Sequence, residues 1–223
     1  MIERRTVSTP RELRAAYNEI YARAEFGEKE ALYARVGRLL EAPPGATVLD
    51  VGCGGGQFLA WAAARGLRPV GLDLADLALA RARARGQERL VLAQGERLPF
   101  AEAAFERVVC LGNLEHFLDP AAGARELRRV LAPGGRGAVL LPNAFYSGDI
   151  WRVIRTGRGP DHHQAIDRFA TCEEWRDLLQ AAGLRVLQVQ RWDKGKWWKR
   201  LLPFQLAYHF LFQVEPEPVP AAR

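Results

Sequence analysis

The residues best placed to do chemistry are the run Asp50-Val51-Gly52-Cys53-Gly54-Gly55-Gly56. Glycine lacks a Cβ, so a turn built of it can adopt positive φ and let a ligand approach the backbone closely. Twenty-one residues after Gly52 stands Asp73, whose carboxylate can accept hydrogen bonds from ribose hydroxyls. Glycine turn and acid together suggest an adenosine-containing cofactor. A dinucleotide site would place glycine or alanine sixth from Gly52, packing a helix whose N-terminus receives a pyrophosphate; the sixth residue here is Gln57.

Candidates for substrate chemistry are His116, Asn143, Tyr146, His162 and His163, because strand-end loops converge over the bound group in a doubly wound sheet. Histidine titrates near neutrality, so His116 and His163 are the candidate bases; orientation of backbone is the competing account of both. Asn143 follows Pro142 and suits either substrate contact or a turn. Cys53 has no histidine or lysine near it in sequence and reads as a small loop filler rather than a nucleophile. Cys53, Cys110 and Cys172 are too unevenly spaced for a disulfide framework or a zinc site.

These residues must be carried by strands and helices. Ser8 or Thr9 before Pro10 starts a helical stretch over 11 to 41, broken at Phe26-Gly27. Ala46 to Val51 reads as a buried strand opening onto the glycine turn, Gln57 to Arg65 as a helix closed by Gly66, and Pro69 to Leu74 as a second strand. The alternation continues with a helix near 76 to 85 and strands at 89 to 93 and 107 to 111. A helix capped by Asp119-Pro120 and ended by Pro133-Gly134-Gly135 leads to a strand at 137 to 141. Thr171 and Glu174 form a capping box for a helix ending at Gly183, and strands at 184 to 192 and 206 to 214 follow. The expected fold is α/β: a doubly wound, Rossmann-like, seven-stranded sheet, mostly parallel, with an antiparallel edge hairpin and helices on both faces.

Over roughly residues 43 to 145 the chain resembles the class I S-adenosylmethionine-dependent methyltransferases, in the broad small-molecule group that includes ubiquinone-biosynthesis enzymes. VLDVGCGGG, GLDLA, QGERLPF, LGNLEHFLDP and LRRVLAPGG carry the likeness, in that order. The resemblance implies S-adenosylmethionine as cofactor and S-adenosylhomocysteine as product. It also implies that Asp50 and backbone carbonyls, Leu111's among them, face the cofactor's ammonium and sulfonium, with Gly52, Cys53 and Gly54 as its cradle. Asp73 would meet the ribose, Leu74 the adenine ring, and Gln94, Gly95 and Glu96 the adenine edge, Gln94 standing where relatives often have aspartate. In many relatives an N-terminal helix covers the cofactor, which brings in Tyr17. Some relatives hold a metal near the equivalent of Glu115-His116, but Gly112 stands where they have a glutamate, and no metal is expected.

The chain has 223 residues, 48% hydrophobic and 26% charged, which excludes global disorder and several independent domains. The expected organisation is a helical cap (1–42), a cofactor-binding core (43–145), a substrate-side and hairpin region (146–214) and a mobile tail (215–223). The start of the chain carries no apolar leader and no run is long enough to span a membrane, so a cytoplasmic protein is expected. The net charge of +6 is concentrated in Arg152, Arg155 and Arg158 and in Arg191 to Arg200, leaving the rest near neutral. That argues against a nucleic-acid coat and for a local surface suited to an acidic or lipid-linked acceptor, with peripheral membrane contact. The function expected is methyl transfer to oxygen or nitrogen of a small or lipid-linked molecule. Methylation of RNA or protein, or cofactor binding without catalysis, are the alternatives.

Overall fold

A computed structural model describes residues 1–24, 30–159, 164–193 and 201–218. Nine strands and seven α-helices follow in chain order: β1 (Ile2–Arg5), α1 (Pro10–Arg23), α2 (Glu30–Leu40), β2 (Thr47–Val51), α3 (Gln57–Ala63), β3 (Arg68–Asp73), α4 (Asp76–Ala84), β4 (Leu90–Leu92), β5 (Phe105–Leu111), α5 (Pro120–Val130), β6 (Leu131–Pro142), α6 (Ser147–Thr156), β7 (Ile166–Phe169), α7 (Cys172–Ala181), β8 (Leu184–Trp192) and β9 (His209–Pro216). The main sheet has seven strands in the order β4-β3-β2-β5-β6-β9-β8. Pairings from β4 to β6 are parallel, whereas β9 runs antiparallel to both β6 and β8. After β4 the chain crosses back to lay β5 beside β2, and this reversal opens a crevice at the strands' carboxyl ends.

Val48, Leu49 and Val51 of β2 are buried because helices cover both faces of the sheet. Leu127 of α5 and Trp175 and Leu179 of α7 pack on one face with Phe210 and Phe212; Leu32, Val36 and Leu40 of α2 and Phe58 of α3 pack on the other. Local signals set the helix starts. Thr9 and Glu12 form a capping box on α1, Asp119 caps α5 through the N–H of Ala122 at 3.0 Å, and Thr171 and Glu174 cap α7. No helix among the described residues is long and apolar enough to cross a membrane.

Several expected boundaries are corrected. Pro133-Gly134-Gly135 does not end a helix: α5 stops at Val130 and these residues bulge within β6, whose register against β5 jumps from Phe105–Leu131 to Arg107–Arg136. The last strand begins at His209 rather than Leu206, because Phe204–Leu206 closes as a 3₁₀ turn, and it extends through Glu215 and Pro216, the start of the expected tail. Two elements had no sequence counterpart: α6, and a separate two-stranded antiparallel sheet of β1 and β7. The Phe26-Gly27 break and most of the Lys194 to Phe204 connection lie outside the described residues.

Candidate active site

The glycine turn after β2 is held by its own backbone. Gly52 and Cys53 donate N–H to the Leu72 carbonyl at 2.7 and 2.9 Å, Gly56 donates to the Cys53 carbonyl at 3.0 Å, and Gly54 donates to Asp73 Oδ2 at 2.9 Å. These four donors are consumed, so the turn is not an anion nest of the kind a pyrophosphate needs. Gly52 and Gly54 stand at φ +78° and +52°, and a Cβ would lie 2.3 Å from Asn113 Cγ at the first and 2.8 Å from the Tyr21 hydroxyl at the second. Asn113 explains its closeness by donating to the carbonyls of Gly52 at 2.9 Å and Leu111 at 3.1 Å.

Asp73 Oδ1 accepts the Ala75 N–H at 2.9 Å, so both carboxylate oxygens are aimed, with acceptor capacity left for a ligand. Burial pushes the Asp73 pKa up, opposed by the backbone N–H groups of Ala75, Gly54 and Leu74. Asp50 is buried without such donors; desolvation first, and then the nearby Asp73 charge, push it up to about 8. The Cys53 side chain turns away to pack with Leu59 and Leu79, and burial raises its thiol pKa. Only its backbone can meet a ligand.

Over this floor lies α1. Arg14 and Asn18 grip Asp76 at the start of α4, with Arg14 Nε 2.8 Å and Asn18 Nδ2 3.1 Å from Asp76 Oδ2. This places Leu13, Tyr17 and Tyr21 above Asp73 and Leu74, closing a cleft of about 50 Å³. Gln94, Gly95 and Glu96 line the same cleft. The Glu96 carboxylate accepts the Leu118 N–H at 2.7 Å, so its side chain braces the loop after β5. Gly95 is required by a protein neighbour: a Cβ there would lie 2.0 Å from Phe117 Cζ.

A second cavity of about 330 Å³ reaches from Asp50, Gly54 and Leu111 to Glu115, His116 and Tyr208, and a third of about 200 Å³ lies between His116, Asn143, Tyr146 and Asp149. His116 borders all three. Its Nδ1 meets the Ile166 carbonyl, which can only accept, so Nδ1 carries the proton of the neutral ring and Nε2 keeps a lone pair. Nε2 lies 3.7 Å from Glu115 Oε1. Burial lowers the His116 pKa, opposed by the Ile166 contact. Tyr17 packs edge-on against His116 with ring centroids 6.2 Å apart, and its buried hydroxyl has no hydrogen-bond partner among the described residues.

Arg168 fixes this loop from behind, donating to the carbonyls of Glu115 at 3.1 Å, Phe117, and Leu118 at 3.2 Å, while its Nε meets Glu3 of β1 at 2.8 Å. The small β1–β7 sheet therefore anchors the loop that bears His116.

Not every expected residue is free for substrate. Asn143 spends both amide hydrogens on the carbonyls of Gln205 at 2.7 Å and Ala207 at 2.8 Å, and its oxygen accepts the Phe145 N–H at 3.0 Å. The turn account fits it, and it reaches the cavity as wall rather than donor. Tyr146 heads α6 and stacks edge-on with Tyr208 at 4.8 Å. His162 and His163 lie outside the described residues. Sequence reading did not single out Asn113 within LGNLEHFLDP, and it missed Tyr21, Gln164, Tyr208 and His209, which lie in none of the quoted motifs and are brought in by the fold. No cluster of three or more metal-ligating side chains occurs among the described residues.

Residues 49–139 match a family model described as a methyltransferase domain. Methyltransferase GfsG of Streptomyces halstedii is 38% identical over 186 residues, 74% of this chain and 62% of that protein. The 2-phytyl-1,4-naphtoquinone methyltransferase of Thermosynechococcus vestitus is 41% identical over 108 residues, 45% of this chain and 48% of that protein. The chain thus spans less than two thirds of the length of these curated relatives. The 1,6-didemethyltoxoflavin-N1-methyltransferase of Burkholderia thailandensis, solved with 1,6-didemethyltoxoflavin and S-adenosylhomocysteine, shares the fold at a TM-score of 0.65 and 20% identity, covering 95% of this chain and 92% of its own. The match over 49–139 and these relatives support a class I S-adenosylmethionine-dependent methyltransferase domain in this chain, and the solved structure shares its fold.

Proposed function

We propose that this chain transfers a methyl group from S-adenosylmethionine to an oxygen or nitrogen of a small or lipid-linked acceptor, leaving S-adenosylhomocysteine. The supporting observation is the Asp73–Gly54 link: it sets an acid with spare acceptor capacity beside a glycine turn four of whose backbone donors are already used. Such a floor suits a nucleoside bearing positive charge and disfavours a diphosphate. A buried Asp50 ready to be charged by a cation fits the same ligand.

In this reading the cofactor supplies an electrophilic methyl on its sulfonium. Asp73 holds the ribose hydroxyls, Asp50 and the Leu111 carbonyl face the ammonium, and Leu74, Gln94 and Gly95 border the adenine. Tyr17 and Tyr21 cover the cleft and exclude water. His116 Nε2 takes a proton from an acceptor that must lose one, while the wall of Tyr146, Gln164 and Tyr208 aligns it for in-line attack. Residues 1–42 serve as cap, 43–145 hold the cofactor and 146–214 supply the acceptor side.

Thermal unfolding with S-adenosylhomocysteine tests the reading. At a hundredfold excess over its dissociation constant the ligand adds about 2.7 kcal/mol of stability, and NAD adds none. Equal response to both, or to neither, overturns it.

A further inference from the structure

Helix α6 is the one α-helix among the described residues with no buried side chain. None of its residues is buried, and every position from Ile150 to Gly159 is exposed. Trp151 is 59% exposed, Val153 47% and Ile154 67%, with Phe145 at 52% just before the helix. Successive residues turn by about 100°, so Val153, Ile150, Ile154 and Trp151 share one contiguous arc of about 160°. Arg155 borders the arc beside Trp151, Arg152 lies on the opposite side, and Arg158 follows the helix; Asp149 is the lone acid, in the first turn.

We propose that α6 is a membrane-docking helix that lies in the surface of an anionic bilayer and brings the mouth of the acceptor cavity to the lipid. Its ten residues span about 15 Å, half of what crossing a hydrocarbon core requires, so the helix lies in the plane of the interface. The apolar arc enters the acyl boundary, the tryptophan sits at headgroup level, and Arg155 and Arg158 extend their stems to meet lipid phosphates, with Arg152 on the solvent side. Charge decides for an anionic bilayer over an apolar protein face: Arg155 at the edge of the arc and Arg158 just after the helix complement phosphate and would be stranded at a dry interface. The root of α6 joins this surface to the site, because Tyr146 and Asp149 line the cavity of about 200 Å³ that His116 also borders. A hydrophobic or lipid-linked acceptor could then enter from the bilayer. That last step rests on the methyl-transfer reading; the docking itself does not.

Co-sedimentation of the full chain with vesicles tests the docking. Vesicles of phosphatidylglycerol and phosphatidylcholine are expected to retain the protein, and phosphatidylcholine alone to retain far less. Trp151→Ser with Ile154→Ser is expected to weaken binding by about tenfold or more, and Arg155→Glu with Arg158→Glu by roughly fivefold or more per residue, with the loss deepening in salt. All these side chains are exposed, so S-adenosylhomocysteine should still raise the unfolding temperature of each variant as in the wild type. Absence of vesicle binding, or binding that survives both pairs of substitutions, overturns the proposal. So does concentration-dependent dimerisation that the apolar pair abolishes in place of lipid binding. Failure of S-adenosylhomocysteine to stabilise the wild type sinks the enzymatic reading and leaves the docking result standing.

Discussion

The Asp73 carboxylate accepts the Gly54 N–H at 2.9 Å, joining the end of β3 to the turn that ends β2. In the proposed reading one side chain thereby shapes the cradle and presents the ribose acceptor, so its removal is expected to harm both. Asp73→Ala is expected to cost roughly 1.5 to 3 kcal/mol of S-adenosylhomocysteine binding through lost charge-assisted hydrogen bonds. Asp73→Asn keeps one acceptor for the turn and is expected to lose less. Calorimetric titration of both variants checks the order, and unchanged affinity in Asp73→Ala contradicts the assignment.

Asp50 gives the site a pH dependence with a definite sign. Its folded-state pKa of about 8 stands above the unfolded carboxylate value of about 4. The group therefore favours folding most at acid pH, and this contribution is lost as pH rises from about 4 through about 8. A cation bound beside Asp50 favours its charged form, so cofactor binding below pH 8 is expected to release a proton, with affinity rising towards that pH. Titrations in buffers of different ionisation enthalpy count the proton, and Asp50→Asn is expected to abolish the release.

His116 is held with Nδ1 on the Ile166 carbonyl, and its lowered pKa leaves the ring neutral at physiological pH. For an acceptor that must be deprotonated, kcat/KM is expected to rise through a pKa below the ordinary histidine value of about 6.5 and then level off. His116→Gln should remove that acidic limb and lower kcat/KM by about 10²- to 10⁴-fold, while S-adenosylhomocysteine affinity stays close to wild type. A pH profile that keeps its shape in the variant assigns His116 to orientation alone.

The sequence made the core legible where local chemistry and tertiary structure agree. β2 is a short apolar run because it lies in mid-sheet, and Asp119-Pro120 and Thr171 with Glu174 start helices because their side chains satisfy local N–H groups. It was silent where distant residues decide. The strands IERR and IDRF have no apolar alternation and exist because they pair with each other, with Arg168 reaching Glu3 and the loop after β5. Asn113 and Tyr21 become site residues only because the glycines opposite leave room for them. Pro133-Gly134-Gly135 reads as a helix stop by composition, yet it forms a bulge within β6, which pairs with β5 on either side of it.

Phe117 is clamped between two glycines, and this links cleft shape to stability. A Cβ at Gly95 would lie 2.0 Å from Phe117 Cζ, and one at Gly123 would lie 2.3 Å from Phe117 Cδ2 on the same ring. With a glycine close on both sides the ring has little room to yield, and it lines the cleft of about 50 Å³. Gly95→Ala is expected to destabilise the fold by about 1 to 3 kcal/mol, the usual range for overpacking, and to weaken S-adenosylhomocysteine binding. Gly123 lies inside α5, where alanine recovers about 1 kcal/mol of helix propensity, so Gly123→Ala should cost less. Urea unfolding ranks the two. If the ring is the obstacle, adding Phe117→Leu to Gly95→Ala should recover ligand affinity, whereas a backbone requirement at Gly95 would leave the double variant as weak as the single.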